Sequence, residues 1–127
     1  MRIEEAREGR SPRGGNQAVT VRMTRELAQR ITTLQYKNSD VFSNESEPLE
    51  LAIERVLVET KPEKEEVSKW RESMVKGVNK PYVRQLPSHQ IERLNELVKV
   101  DFIFKNKSEA VRFAVEKQYC FRGCQNG

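Results

Sequence analysis

Laid over itself at an offset of 62 residues, the chain repeats. Val41-Phe42-Ser43-Asn44-Glu45-Ser46-Glu47 faces Ile103-Phe104-Lys105-Asn106-Lys107-Ser108-Glu109, and the match continues with Ala52 facing Ala114 and Glu54 facing Glu116. Upstream the offset becomes 63, pairing Met23 with Leu86, Arg30 with Arg93, Ile31 with Leu94 and Leu34 with Leu97. One residue gained or lost in a loop accounts for the change. Self-similarity over this span means one structural unit used twice.

Residues Val19-Thr20-Val21-Arg22-Met23 alternate apolar and polar, the period-two pattern of a half-buried strand. Val19, Val21 and Met23 share one face; Ala18, Thr20 and Arg22 share the other. Thr24 is placed to cap a helix whose apolar positions are Leu27, Ala28, Ile31 and Leu34. Val41 and Phe42 read as apolar plugs in an otherwise polar loop. Ser46 caps a second helix, Glu47 suits the positive end of its dipole, and Pro48 is tolerated in its first turn. Leu49, Ala52, Ile53, Val56 and Leu57 form its buried stripe.

The second unit repeats the plan. Tyr82 to Leu86 form a short strand ending at Pro87, and Ser88 caps a helix carrying Ile91, Leu94, Leu97 and Val98. Phe102, Ile103 and Phe104 are the plug, and Ser108 caps a last helix bearing Val111, Ala114 and Val115. A unit of about 43 residues cannot stand alone, because one strand leaves its amides and carbonyls without ladder partners. A core this small rarely supplies more than roughly 3–5 kcal/mol. The strand must therefore pair with a twin, which this chain itself supplies; pairing between chains is the competing arrangement.

Composition narrows the function. Charged residues are 33% of the 127 and hydrophobic ones 36%, and no apolar run approaches a membrane span. The start of the chain lacks an apolar signal core, so a cytoplasmic location (the host cytoplasm for a viral protein) is expected. Cys120, Cys124 and the lone His89 fall short of a zinc site or a disulfide framework. With no paired acid and base, nucleophile or metal constellation, a binding protein without a cofactor is expected rather than an enzyme. The net charge of +4 permits a nucleic-acid partner without demanding one.

Strand, helix, helix with Leu86-Pro87-Ser88 and Asn106-Lys107-Ser108-Glu109-Ala110-Val111 resembles the ribbon-helix-helix family of DNA-binding regulators, such as Arc, MetJ and CopG. The first unit looks like a second member, and tandem copies in one small chain are similar to transcription regulators of archaeal viruses. The resemblance implies a mostly α fold with short β-ribbons: two ribbon-helix-helix motifs in tandem, forming an antiparallel two-stranded ribbon plus a helix bundle. It divides the chain into a flexible basic arm (1–16), a first motif (17–60), a linker helix (61–79), a second motif (80–119) and a tail (120–127). It further implies a sequence-specific double-stranded DNA-binding transcription regulator, a repressor, whose ribbon enters the major groove. Several chains associating on DNA, a homo-oligomer, is a further expectation. An antitoxin-like module that holds a protein partner, with DNA secondary, is the alternative.

On this resemblance Thr20 and Arg22 read bases. In the second unit, a core-facing Leu86 would turn Arg84 and Tyr82 inward and leave Val83 and Gln85 outward. A buried unpaired arginine is costly. Either a bulge shifts the register, or Arg84 lies at the ribbon end and reaches phosphate; Arg84 and Gln85 are both assigned to DNA contact. The second helix of each motif opens a phosphate site from its free amides, with Asn44 and Ser46 in the first motif and Lys105, Asn106, Lys107 and Ser108 in the second. Glu45 stands where Lys107 does, so the first clamp should be weaker. Pro62 to Lys76 reads as a helix with Val67, Trp70, Met74 and Val75 on one face and Gly77 as its terminator. Trp70 is expected to anchor the core, His89 to face solvent, and the two cysteines to be incidental.

Overall fold

Alternating side chains carry two strands, β1 (Asn16–Thr24) and β2 (Asn79–Pro87), and they pair antiparallel with each other. The computed structural model describes residues 16–74 and 77–119. After β1 come α1 (Arg25–Lys37), α2 (Ser46–Ile53, extended by a π-helical turn, Glu54–Val58) and α3 (Lys64–Ser73). After β2 come α4 (Ser88–Lys99) and α5 (Lys107–Tyr119), so strand, helix, helix occurs twice. The described residues are mostly helical, with one two-stranded sheet and five helices. No described helix is long and apolar enough to cross a membrane.

The register explains how the ribbon divides its faces. Val19 lies opposite Arg84, Val21 opposite Tyr82 and Gln17 opposite Leu86; cross-strand partners point to one side of a sheet. That side meets the helices, and Val21, Met23 and Leu86 are buried against them. The other side carries Ala18, Thr20 and Arg22 opposite Gln85, Val83 and Pro81, and all six are exposed. Thr20 and Val83 are partners across the ribbon and also counterparts at the 63-residue offset. The two-fold relation between the units therefore passes through that pair.

Helix starts follow the sequence at Thr24 and depart from it at Ser46, Ser88 and Ser108; Ser88 is the first residue of α4, behind Pro87 as N-cap, and no side chain caps that start. Thr24 Oγ1 accepts from the Leu27 amide at 3.1 Å, as its position before the apolar stripe predicts. Ser46 and Ser108 do not cap their own helices. Asn44 Oδ1 accepts from the amides of Ser46 (2.9 Å) and Glu47 (3.1 Å), and Asn106 Oδ1 from that of Glu109 (2.8 Å). Glu47 and Glu109 reach back to the amides of Ser43 and Lys105, each at 2.8 Å. Each start is thus an Asn-x-x-Glu variant of the capping box, and its serine is left for another task.

The core is shared by both units: Leu49, Ile53 and Leu57 of α2 and its π-helical turn meet Leu94, Leu97, Val111 and Val115 of α4 and α5, all essentially without exposure. Polar links tie the halves. Gln90 donates to the Glu50 carbonyl (2.9 Å) and to Glu54 Oε1 (3.0 Å), and His89 Nε2 lies 2.8 Å from the same carboxylate. Burial pushes the Glu54 carboxyl up, but the bonds to Gln90 and His89 outweigh it and leave its pKa lowered. His89 itself sits exposed in the first turn of α4, as expected.

Two loop expectations are corrected. Phe42 plugs the core, but Val41 is 64% exposed. In the second unit Ile103 and Phe104 are buried while Phe102 is 71% exposed and holds a left-handed φ of 54°. That turn swings the following two residues inward, at the cost of strain in a bulky side chain. The linker helix is also shorter than its periodicity predicts. It spans Lys64–Ser73; Met74 has already left it with extended backbone, so Gly77 is not its terminator. Gly77 instead sits close to β1, where an added Cβ would lie 3.1 Å from Thr24 Cγ2.

Trp70 does anchor this helix. Its ring meets Phe113 edge-on at 5.3 Å, and its indole Nε1 donates to Glu116 at 3.0 Å. Arg71 grips buried Glu109 with two bonds, 2.7 and 2.8 Å, and Lys117 pairs with Glu66. Residues 1–15 of the arm, Val75 and both cysteines lie outside the described residues, while Asn16, the arm's last residue, already belongs to β1.

Candidate nucleic-acid interface

The outer ribbon face is a strip of six side chains, Ala18, Thr20, Arg22, Pro81, Val83 and Gln85, exposed to solvent. No peptide unit breaks its alternation, so no bulge is present and the register is fixed by the buried face. Thr20, Arg22 and Gln85 stand on this strip together. Arg84 does not. It faces the helices beside the ribbon, where Nη2 meets Glu45 Oε1 at 3.0 Å, Nη1 donates to the Val83 carbonyl at 2.9 Å, and its guanidinium lies 5.5 Å from the Tyr82 ring. Arg84, expected to contact DNA, is turned inward here and paired with Glu45, the residue at the Lys107 position of the other unit.

The serines freed from capping hold the ribbon. Ser108 Oγ accepts from the Arg22 amide at 2.8 Å, and Ser46 Oγ accepts from the Gln85 amide at 3.1 Å. These two bonds are counterparts under the repeat. They fasten the start of each second helix to the ribbon edge, so Asn44, Ser46, Lys107 and Ser108 come to flank the outer strip rather than stand apart from it. The helix-start amides of Ser46, Glu47 and Glu109 are thus already satisfied by Asn44 and Asn106.

The two ends are unequal. At the Arg22 end, Arg112 Nη1 also donates to the Arg22 carbonyl at 2.6 Å. Burial lowers the pKa of this guanidinium, with Glu109 and Glu116 opposing. A depression of about 570 Å³ lies there, lined by Thr20, Arg22, Asn79, Lys107 and Arg112 among others. Lys105 is exposed but lies elsewhere, in a depression shared with Lys64 and Arg71. At the Gln85 end Glu45, paired with Arg84, stands in place of Lys107, and the counterpart of Arg112 is Glu50, whose carboxylate has no N–H to give. The Arg22 end therefore carries more positive charge and a second clamp that the Gln85 end lacks.

Arg112 escaped the sequence reading, although its mismatch with Glu50 at the 62-residue offset marked a difference between the units. The serine-to-ribbon bonds had no local signal, since they join residues 86 and 39 positions apart. Among the described residues no cluster of His, Cys, Asp and Glu could hold a metal ion. Comparison with protein-family models, with curated proteins and with solved structures finds no match for this chain.

Proposed function

We propose that this chain is a sequence-specific, double-stranded DNA-binding regulator of transcription, a non-enzymatic repressor built as two ribbon-helix-helix motifs in tandem. The observation that carries the reading is the outer ribbon face. A two-stranded ribbon matches the width of the major groove, and here one side of it is exposed while the other seals the core. Arg22 and Gln85 project from that exposed side, the two side-chain types that bond guanine and adenine bidentately. Lys107 flanks one end, and with Lys105, which lies on the side facing Lys64 and Arg71, it supplies phosphate contacts, which position without specifying. Ribbon, helix starts and cationic rim then work as one surface, with both strands drawn from a single chain.

A salt titration of duplex binding tests this. Neutralising several phosphates gives a log–log slope of roughly −0.9 per phosphate. A response flat with salt, together with no sequence enriched from a random duplex pool, overturns the proposal.

A second reading, an antitoxin-like protein-interaction module, is favoured by apolar residues exposed at both helix–helix loops: Tyr36 and Val41 at one, Val100 and Phe102 at the other. A small protein that co-purifies at one-to-one stoichiometry and shields these residues supports it.

A further inference from the structure

Val83 is 60% exposed at the middle of the outer ribbon face, directly across from Thr20. A single exposed valine is ordinary on a protein surface. Its placement is not: it sits on the pair through which the two-fold relation passes, between the two bonding side chains of the strip. The C5-methyl of thymine is the apolar group that a base pair offers in the major groove. Val83 and the Thr20 methyl together make an apolar spot that complements such a methyl and cannot bond a polar base edge through Val83.

Arg22 and Gln85 lie two residues from this pair in opposite directions, because the strands are antiparallel. At about 3.4 Å per residue they are roughly 14 Å apart along the ribbon, about four base steps at roughly 3.4 Å each. Resting on the DNA-binding reading, we infer that the chain reads an asymmetric core of about five base pairs: a guanine under Arg22, a thymine methyl under Val83 and Thr20, and an adenine under Gln85. The Arg22 end is also where the cationic depression and the second clamp lie, so guanine and the stronger phosphate grip fall on one side.

Selection of duplexes from a random pool with the full chain, followed by replacement of the central thymine by deoxyuracil, tests the inference. Deoxyuracil removes only the methyl. The wild-type chain is expected to lose about fourfold in affinity, the worth of one buried carbon. Val83→Ala is expected to narrow this difference and Val83→Ala with Thr20→Ser to abolish it, both while still preferring guanine at the Arg22 position, and Val83→Thr, which keeps a γ-methyl, to retain the thymine preference. Circular dichroism of each variant, unchanged from wild type, shows that the fold is kept. Equal wild-type affinity for thymine and deoxyuracil, or a selected palindrome, overturns this inference while leaving DNA binding intact. Failure to enrich any sequence overturns both.

Discussion

The Arg22 amide donates to Ser108 Oγ at 2.8 Å, joining the C-terminal part of the first strand to the start of the last helix. Gln85 and Ser46 make the counterpart bond at 3.1 Å. Ser108→Ala should cost about 1 kcal/mol, the net worth of one hydrogen bond, and the double variant with Ser46→Ala about twice that, since the sites share no partner. Urea unfolding measures the loss. Amide exchange should quicken at Arg22 in the first variant and at Gln85 only in the double; unchanged exchange would show the serines are idle.

The division between base and phosphate contacts gives a second expectation. Arg22→Ala should relax sequence preference by about 1–3 kcal/mol at one position. Lys107→Ala should instead weaken all sequences alike and reduce the salt slope by about one. Binding curves for specific and scrambled duplexes at several salt concentrations separate the two. Identical behaviour of both variants would refute the assigned roles.

Acid stability should depend on Glu109. Burial pushes its carboxyl up, but the Arg71 guanidinium and the Lys105 amide outweigh that and hold it below its ordinary value of 4.5. The unfolded chain therefore takes up this proton first as pH falls. The stabilisation is fully present above about pH 4.5 and fades as pH drops through the lower folded value. Glu109→Gln should be less stable at neutral pH and show a shallower acid limb. Arg71→Ala, which leaves a buried carboxylate unpaired, should cost about 3 kcal/mol at pH 7. Denaturant melts from pH 7 to 3 check both, and parallel curves for wild type and Glu109→Gln would sink the argument.

Pairing of β1 with β2 inside one chain predicts that the unfolding midpoint does not move with protein concentration. Thermal melts across a hundredfold range in concentration measure it. A midpoint that rises steadily with concentration would point to ribbons exchanged between molecules.

Docking of the linker helix should be visible through Trp70. Trp70→Phe keeps an aromatic ring against Phe113 but loses the bond to Glu116, a change of about 1 kcal/mol. Trp70→Ala should cost about 3 kcal/mol by opening a cavity. Equal losses for both variants would mean the ring contact contributes nothing.

Much of this architecture was legible because it is periodic. The alternation of Val19, Val21 and Met23 and the cap at Thr24 are local patterns, and the structure repeats them. The inward turn of Arg84 also followed from parity with Leu86, but its partner Glu45 did not, because an ion pair between residues 39 positions apart leaves no local trace. The serines misled for a related reason. A serine beside an asparagine at a helix start is an equally good cap on paper, and only the nearby ribbon amides decide which one is free. Val41 and Phe102 were misplaced because adjacent apolar residues in a loop cannot all face one way. Phe102 resolves that conflict through its left-handed backbone, a choice rarely legible in a bulky residue.

The strands that form the ribbon are far apart in sequence, with Thr24 paired to Asn79 and Asn16 to Pro87. During synthesis at about 5–20 residues per second, the first strand waits several seconds before its mate is made. Throughout that interval it is an unmatched edge bearing Val19, Val21 and Met23. Such a segment invites pairing with other nascent chains. Its polar alternate residues, Thr20 and Arg22, break the apolar run and so blunt that edge until its mate arrives.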